Sequence, residues 1–364
     1  MLRLPPFRVE RPRSLEEAVA IKAEYGEKAT YLAGGTDLLP KMKRGQQSPA
    51  VLIHLGLLED LQRAEGAQHI GRWSDSSEGR SSEGRSSEDR GSEAESRTDG
   101  SNGGSSLGAG ITLSALAASQ TVQREFPALA RAAAGVATPL VRNTATLGGN
   151  LCLDTRCNFY DQSHQWRKGI GFCMKKDGEA CWVAPSSPRC WAVQSSDTAP
   201  VVVALGARIV MTGPGGSRTL PAEQFYRNDG IQYLAKDRDE LVCEVVLPRR
   251  EGAVSTYLKV SRRASFDFPV LGVAALVQRE TSSAPLTHAR VVLGALGSAP
   301  VIVEEAEGAL VGKPLTEETI VEAAEAAWRR ARPLDNTDQT RRWRKSVVRA
   351  YVIRALRALG VADA

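Results

Sequence analysis

Five of the six cysteines fall in one 39-residue stretch, Cys152 to Cys190, directly after a Thr-Leu-Gly-Gly-Asn turn at Thr146 to Asn150. Clustered thiolates bind metal ions or iron-sulfur cages, and a double-glycine turn brings backbone N–H groups to a pyrophosphate with no Cβ in the way. Cys157, Cys173, Cys181 and Cys190 are separated by steps of 16, 8 and 9 positions. That spacing alone leaves zinc and iron-sulfur both open, with structural zinc the commoner occupant of four thiolates. Cys152 reads as a packed thiol at the start of the stretch, and Cys243, inside an apolar strand, as an ordinary buried residue.

A second double-glycine turn, Ala33-Gly34-Gly35-Thr36-Asp37-Leu38, follows a short apolar run. Either turn alone is more often a tight turn than a nucleotide site. There is neither a Gly-x-Gly-x-x-Gly nor a Walker A sequence, so the residues by themselves point only as far as a dinucleotide site.

The elements that must position these residues follow from punctuation. Ser14-Leu15-Glu16-Glu17 opens a helix over Leu15 to Tyr25 that Gly26 stops. A strand over Thr30 to Ala33 leads into the first turn and into Leu38 to Lys43, which can begin helical. Ala115 to Ala137 has helical period with a break at Pro127. Pro200 to Met211, Glu240 to Leu247, Val254 to Val260, Val270 to Gln278 and His288 to Leu296 read as strands; Thr316 to Ala331 and Thr340 to Leu359 read as helices. Helices and strands are mixed without strict alternation, which is an α+β chain.

With 364 residues, 42% hydrophobic and 24% charged, the composition is that of a globular protein with two or three cores. The N-terminal residues lack the uninterrupted apolar run of a signal peptide, and no membrane-spanning run occurs, so the expected compartment is the cytoplasm. There a cysteine cluster binds metal or does redox chemistry in preference to forming disulfides. The net charge of +5 is modest; seven Lys or Arg between Arg341 and Arg357 alternate with apolar residues at helical spacing, which reads as a solvated helix face and not as a nucleic-acid surface. Residues 72 to 105 contain three tandem pentads, SSEGR, SSEGR and SSEDR, and almost no apolar side chain, so a disordered surface insertion is expected there. It separates Gln68 to Gly71 from Leu107 to Ile111, which would pair as strands if joined.

Ala33 to Pro40, Ala145 to Asn150, Ser196-Asp197-Thr198-Ala199-Pro200 and Tyr257 to Arg263 together resemble, in order and spacing, the FAD-binding motifs of the flavin subunits of molybdenum hydroxylases. The resemblance spans nearly the whole chain. It implies a two-part FAD-binding domain of the PCMH type over residues 1–238 and a sheet-plus-helices C-terminal domain over 239–364. It further implies that Ala33, Gly34, Gly35, Thr36, Asp37 and Leu38, with Thr146, Gly148, Gly149 and Asn150, wrap the FAD pyrophosphate. Asp197 would accept from the cofactor's hydroxyls and Lys259 would lie near the flavin. Most members run almost directly from the second turn to the Ser-x-Asp turn, whereas this chain has 46 residues between Asn150 and Asp197. That segment resembles the insertion of the 4-hydroxybenzoyl-CoA reductase flavin subunit, which implies a 4Fe-4S cluster on Cys157, Cys173, Cys181 and Cys190. By the same resemblance, a molybdenum-cofactor subunit and a 2Fe-2S subunit complete a dimer of heterotrimers, and ferredoxin donates the electrons.

Overall fold

The computed structural model describes residues 3–65, 104–263 and 266–360, which carry three β-sheets with helices packed on them. The first sheet is parallel, with β1 (Arg8–Glu10), β2 (Ala29–Leu32) and β3 (Val51–His54) in the order β1-β3-β2. Helix Leu15–Tyr25 connects β1 to β2. Its first turn is capped by Ser14, which accepts from the Glu17 N–H at 3.1 Å, and it ends at Gly26, where φ is +52°. The Glu17 carboxylate reaches past the capping-box position and accepts from the Arg13 N–H at 2.7 Å.

The second sheet is antiparallel, with β4 (Ala64–Glu65), β5 (Ser105–Gly108), β6 (Arg208–Gly213), β7 (Gly216–Pro221) and β8 (Leu241–Leu247) in the order β4-β5-β8-β6-β7. The third, also antiparallel, orders β9 (Ala253–Val260), β10 (Leu271–Gln278), β11 (His288–Gly294) and β12 (Val301–Ile302) as β12-β11-β10-β9. β10 is buried on both faces, as its unbroken apolar run requires. Val273, Ala275 and Val277 join the core beneath helices Glu317–Arg330 and Arg341–Arg357, while Ala274 and Leu276 face the core shared with the second sheet.

Three expectations shift. Pro200 to Met211 is not one strand: Ala199–Ala204 is a helix with every residue buried, and the strand begins at Arg208. Val201, Val202 and Val203 favour a strand locally, but a short apolar run with a proline in its first turn serves equally as a fully buried helix. The division at 238/239 falls in front of β8, which hydrogen-bonds to β5 and β6; the change of sheet comes between Leu247 and Ala253. Of the expected insertion, Ser105 already belongs to β5, and 72–103 lie outside the described residues. Residues 68–71 lie outside them too; the strand that pairs with β5 is β4, with Ala64 opposite Leu107.

One buried cation fastens the last helix to the third sheet. The Arg344 guanidinium is fully buried and donates to the carbonyls of Val270 (3.1 Å), Leu334 (2.9 Å) and Ala295. Burial pulls its pKa down to about 10, still far above neutrality. Arg344→Leu would orphan three buried acceptors, and we predict a loss of about 3 kcal/mol of stability, measured as a lowered unfolding midpoint in urea.

Candidate functional site

The two double-glycine turns touch. A Cβ placed on Gly34 would lie 2.0 Å from the Thr144 carbonyl oxygen, and one on Gly149 would lie 3.8 Å from the Ala33 Cβ. Gly35 has φ +68°, a conformation that glycine adopts at no steric cost. Ala33, Gly34, Gly35, Thr36, Asp37, Leu38, Thr146, Gly148, Gly149 and Asn150 all line one cleft of about 2220 Å³ where the first and second sheets meet. Ligand pockets of drug-sized molecules run to roughly 300–1,000 Å³, so this cleft suits an extended ligand.

The turns contribute differently. Thr146 to Asn150 forms a single helical turn whose N–H groups are already used: Leu147 donates to Ile111 O (2.9 Å), Gly148 to Ala109 O (2.7 Å), Gly149 to Thr146 Oγ1 (3.0 Å) and Asn150 to Thr146 O (2.9 Å). The N–H groups of Gly34, Gly35 and Thr36 have no acceptor among the described residues. The first turn therefore offers donors to an anion, and the second shapes the wall. The Asn150 side-chain carbonyl accepts from Ser196 Oγ and Thr198 Oγ1, both at 2.7 Å, which ties the second turn to the Ser196–Thr198 segment.

Asp197 and Lys259 do not line the cleft. They face one another: Asp197 accepts from Tyr257 OH at 2.8 Å and from Lys259 Nζ at 3.0 Å, and Lys259 also donates to Gly135 O at 2.8 Å. Burial pushes the Asp197 carboxyl up to about 6, against the pull of Lys259 and the Tyr257 hydroxyl.

Cys157, Cys173, Cys181 and Cys190, all buried, line a second, small cavity of about 10 Å³ with Phe159, Tyr160 and Met174. None is disulfide-bonded, and Cys152 and Cys243 stand apart from it. The loop is irregular, but each cysteine is fixed by a backbone bond of its own: Asp161 N to Cys157 O (2.8 Å), Lys176 N to Cys173 O (2.8 Å), Ala184 N to Cys181 O (3.0 Å) and Gly230 N to Cys190 O (2.9 Å). A Cβ on Gly230 would lie 2.7 Å from the Cys190 sulfur. Burial, with the neighbouring thiols adding to it, pushes Cys157 up to about 12 and Cys190 to about 11; N–H groups of Phe159 and Ala192 pull the other way. No three His, Cys, Asp or Glu among the described residues close to the spacing of a single metal ion. As a donor set, four buried thiols around one cavity fit a thiolate-ligated centre.

Between cleft and cavity lies an ion network that sequence reading missed. Asp154 is bonded by Lys41 and, at 2.8 Å, by Lys175; Lys41 also reaches Asp37 at 3.3 Å, and Asp37 is bonded by Arg156. Asp37 thus serves the wall of the cleft through its ion pairs. Burial alone would raise the Asp154 pKa, but Lys175 and Lys41 outweigh it and hold the carboxyl below its ordinary value. The i, i+4 spacing of Asp37 and Lys41 was the only local trace of this network.

Two contacting glycine turns line one long cleft, and a helix-backed antiparallel sheet follows them in the chain. The chain belongs to the family described as FAD binding domain in molybdopterin dehydrogenase, matched at residues 5–71 and 96–250, and continues into a CO dehydrogenase flavoprotein C-terminal domain at 256–359. The gap between those matches coincides with the change of sheet after β8. The chain is 26% identical over 357 residues to the carbon monoxide dehydrogenase medium chain of Hydrogenophaga pseudoflava, with 97% of each chain covered. It is 31% identical over 314 residues to the aldehyde oxidoreductase FAD-binding subunit PaoB of Escherichia coli K12, covering 84% of this chain and 86% of that one. The fold matches that of Hydrogenophaga pseudoflava carbon monoxide dehydrogenase with a TM-score of 0.71 at 24% identity, over 98% of both chains.

Two outcomes follow. Gly34→Ala would drive a methyl group into the Thr144 carbonyl, and the protein should purify with at least tenfold less flavin, measured in the heat-released supernatant; flavin content equal to wild type would refute the contact's importance. For Asp197, the folded-state pKa lies above its ordinary value of 3.8, so ionising it destabilises the fold as pH rises towards and through 6. Relative to Asp197→Asn, the wild type should lose about 1 kcal/mol between pH 5 and pH 7, read from denaturation midpoints of both proteins.

Proposed function

We propose that this chain is the FAD- and 4Fe-4S-bearing electron-transfer subunit of a molybdenum enzyme complex of the 4-hydroxybenzoyl-CoA reductase kind, working in the cytoplasm. The observation that carries the reading is the gathering of the buried Cys157, Cys173, Cys181 and Cys190 around one small cavity beside the cleft. Family membership supports FAD in that cleft. Bound flavin exchanges one or two electrons and an iron-sulfur cage one at a time, so the pair converts between carriers.

The chain's own residues bind, orient and exclude water. Gly34, Gly35 and Thr36 line the cleft with N–H groups that have no acceptor among the described residues and so are available to the pyrophosphate, and the glycines let it approach the backbone. The Ala192 N–H approaches the Cys190 sulfur at 3.4 Å, an arrangement that favours charge on sulfur. Phe159, Tyr160 and Met174 pack around the cysteines and keep solvent out. No side chain at either place makes or breaks a substrate bond. That chemistry, the reductive removal of the phenolic hydroxyl of 4-hydroxybenzoyl-CoA with electrons from ferredoxin, falls to a molybdenum-cofactor subunit reached through a 2Fe-2S subunit, in a dimer of heterotrimers.

The match to the carbon monoxide dehydrogenase medium chain over nearly its whole length favours a second reading. In it the chain is the flavin subunit of a carbon monoxide or xanthine dehydrogenase type hydroxylase, and the cysteine loop holds zinc or no metal. Iron, zinc and flavin quantification on anaerobically isolated complex separates the two. The first reading requires about four irons in this chain beside one flavin, and Cys173→Ser should abolish the extra EPR signal while flavin stays bound. Zinc in place of iron, or an unchanged signal, would favour the second.

A further inference from the structure

We infer that Lys175 is the electrostatic link between the cysteine cavity and the cleft, a positioning residue whose fixed positive charge favours the electron arriving at the cysteine-bound cage. The inference rests on the 4Fe-4S reading above. Lys175 lines the cysteine cavity, and its side chain is only 6% exposed. All three ammonium hydrogens have acceptors: Asp154 Oδ1 at 2.8 Å, Thr155 Oγ1 at 2.7 Å and Gly230 O at 2.6 Å. The charge is therefore fixed in place and not free to swing into solvent. It sits over the rings of Tyr160 (4.9 Å) and Tyr233 (5.6 Å); Tyr160 belongs to the cysteine cavity, while Tyr233 and Asp154 belong to the cleft.

The surrounding charges leave a surplus. Lys41, Lys175, Arg156 and Arg44 face Asp154, Asp37 and Asp161, four cations against three anions. Lys175 itself is almost wholly withdrawn from solvent and therefore weakly screened, so this cation facing a cage that gains negative charge on reduction shifts the balance towards the reduced form.

The test is an anaerobic redox titration of the purified complex, read by the EPR signal of the reduced cage, with iron and flavin counted in each sample. At the wild-type midpoint, Lys175→Met should lower the ratio of reduced to oxidised cage about tenfold, which for one electron is about 59 mV, and Lys175→Arg should stay close to wild type. Asp154→Asn, which removes an anion and keeps Lys175, should move the ratio the other way; it decides the matter if Lys175→Met fails to retain iron. An iron-replete Lys175→Met that titrates with wild type, an arginine variant displaced as far as the methionine one, or an unmoved Asp154→Asn overturns the link. Wild-type complex without iron in this chain removes the cage and the link together, whereas iron-replete wild type with unmoved variants removes the link alone.

Discussion

The arrangement depends on one buried carboxylate. Asp154 stands four residues beyond the second glycine turn and three before the first cavity cysteine, and it is bonded on one side by Lys41 from helix Leu38–Lys43 and on the other by Lys175 from the cysteine loop. Burial opposes its charge, and the two ammonium groups overcome that opposition. A buried ion pair is poor evidence of net stability, but breaking one by removing a single partner costs about 3–5 kcal/mol, because the remaining charge has nowhere to go. The first turn, the second turn and the cysteine loop are consequently fixed in one register. The loop has almost no hydrophobic core of its own beyond a few aromatic and thiol side chains.

Contact between the glycine turns supplies the other half of the constraint. Gly34 lies so close to the 144–145 backbone that no side chain fits between them, and Gly148 is seated on Ala109, where a Cβ would lie 2.7 Å from the Ala109 Cβ. Each double glycine is thus required twice, once by the packing of its own backbone and once by the cleft it lines. The division of labour between them follows from hydrogen bonding: the turn that is also a capped helical turn has used its N–H groups, and the turn without such a cap has not.

Local chemistry was legible in the sequence, and long-range pairing was not. Ser14, Gly26 and Pro127 mark the ends of helices, and the observed helices Leu15–Tyr25 and Pro127–Ala134 follow them because capping and proline geometry act within one turn. The glycine turns and the four cysteine positions also identified residues that do converge. The bond between Lys41 and Asp154 spans 113 positions, and the pairing of Asp197 with Lys259 spans 62, so nothing in their immediate neighbours announced either. Asp197 and Lys259 satisfy each other away from the cleft's lining, and Asp37 is drawn into ion pairs along its wall. The helix Ala199–Ala204 escaped detection for a different reason: an apolar run buried on every side has no periodicity to read.

The most direct test of the account is anomalous X-ray diffraction from crystals of the anaerobically purified complex, with data taken on both sides of the iron absorption edge and of the zinc edge. A compact iron peak enclosed by Cys157, Cys173, Cys181 and Cys190, with FAD density along the two glycine turns, is the predicted result. A zinc peak at those cysteines, or no anomalous peak among them while FAD occupies the cleft, would contradict it.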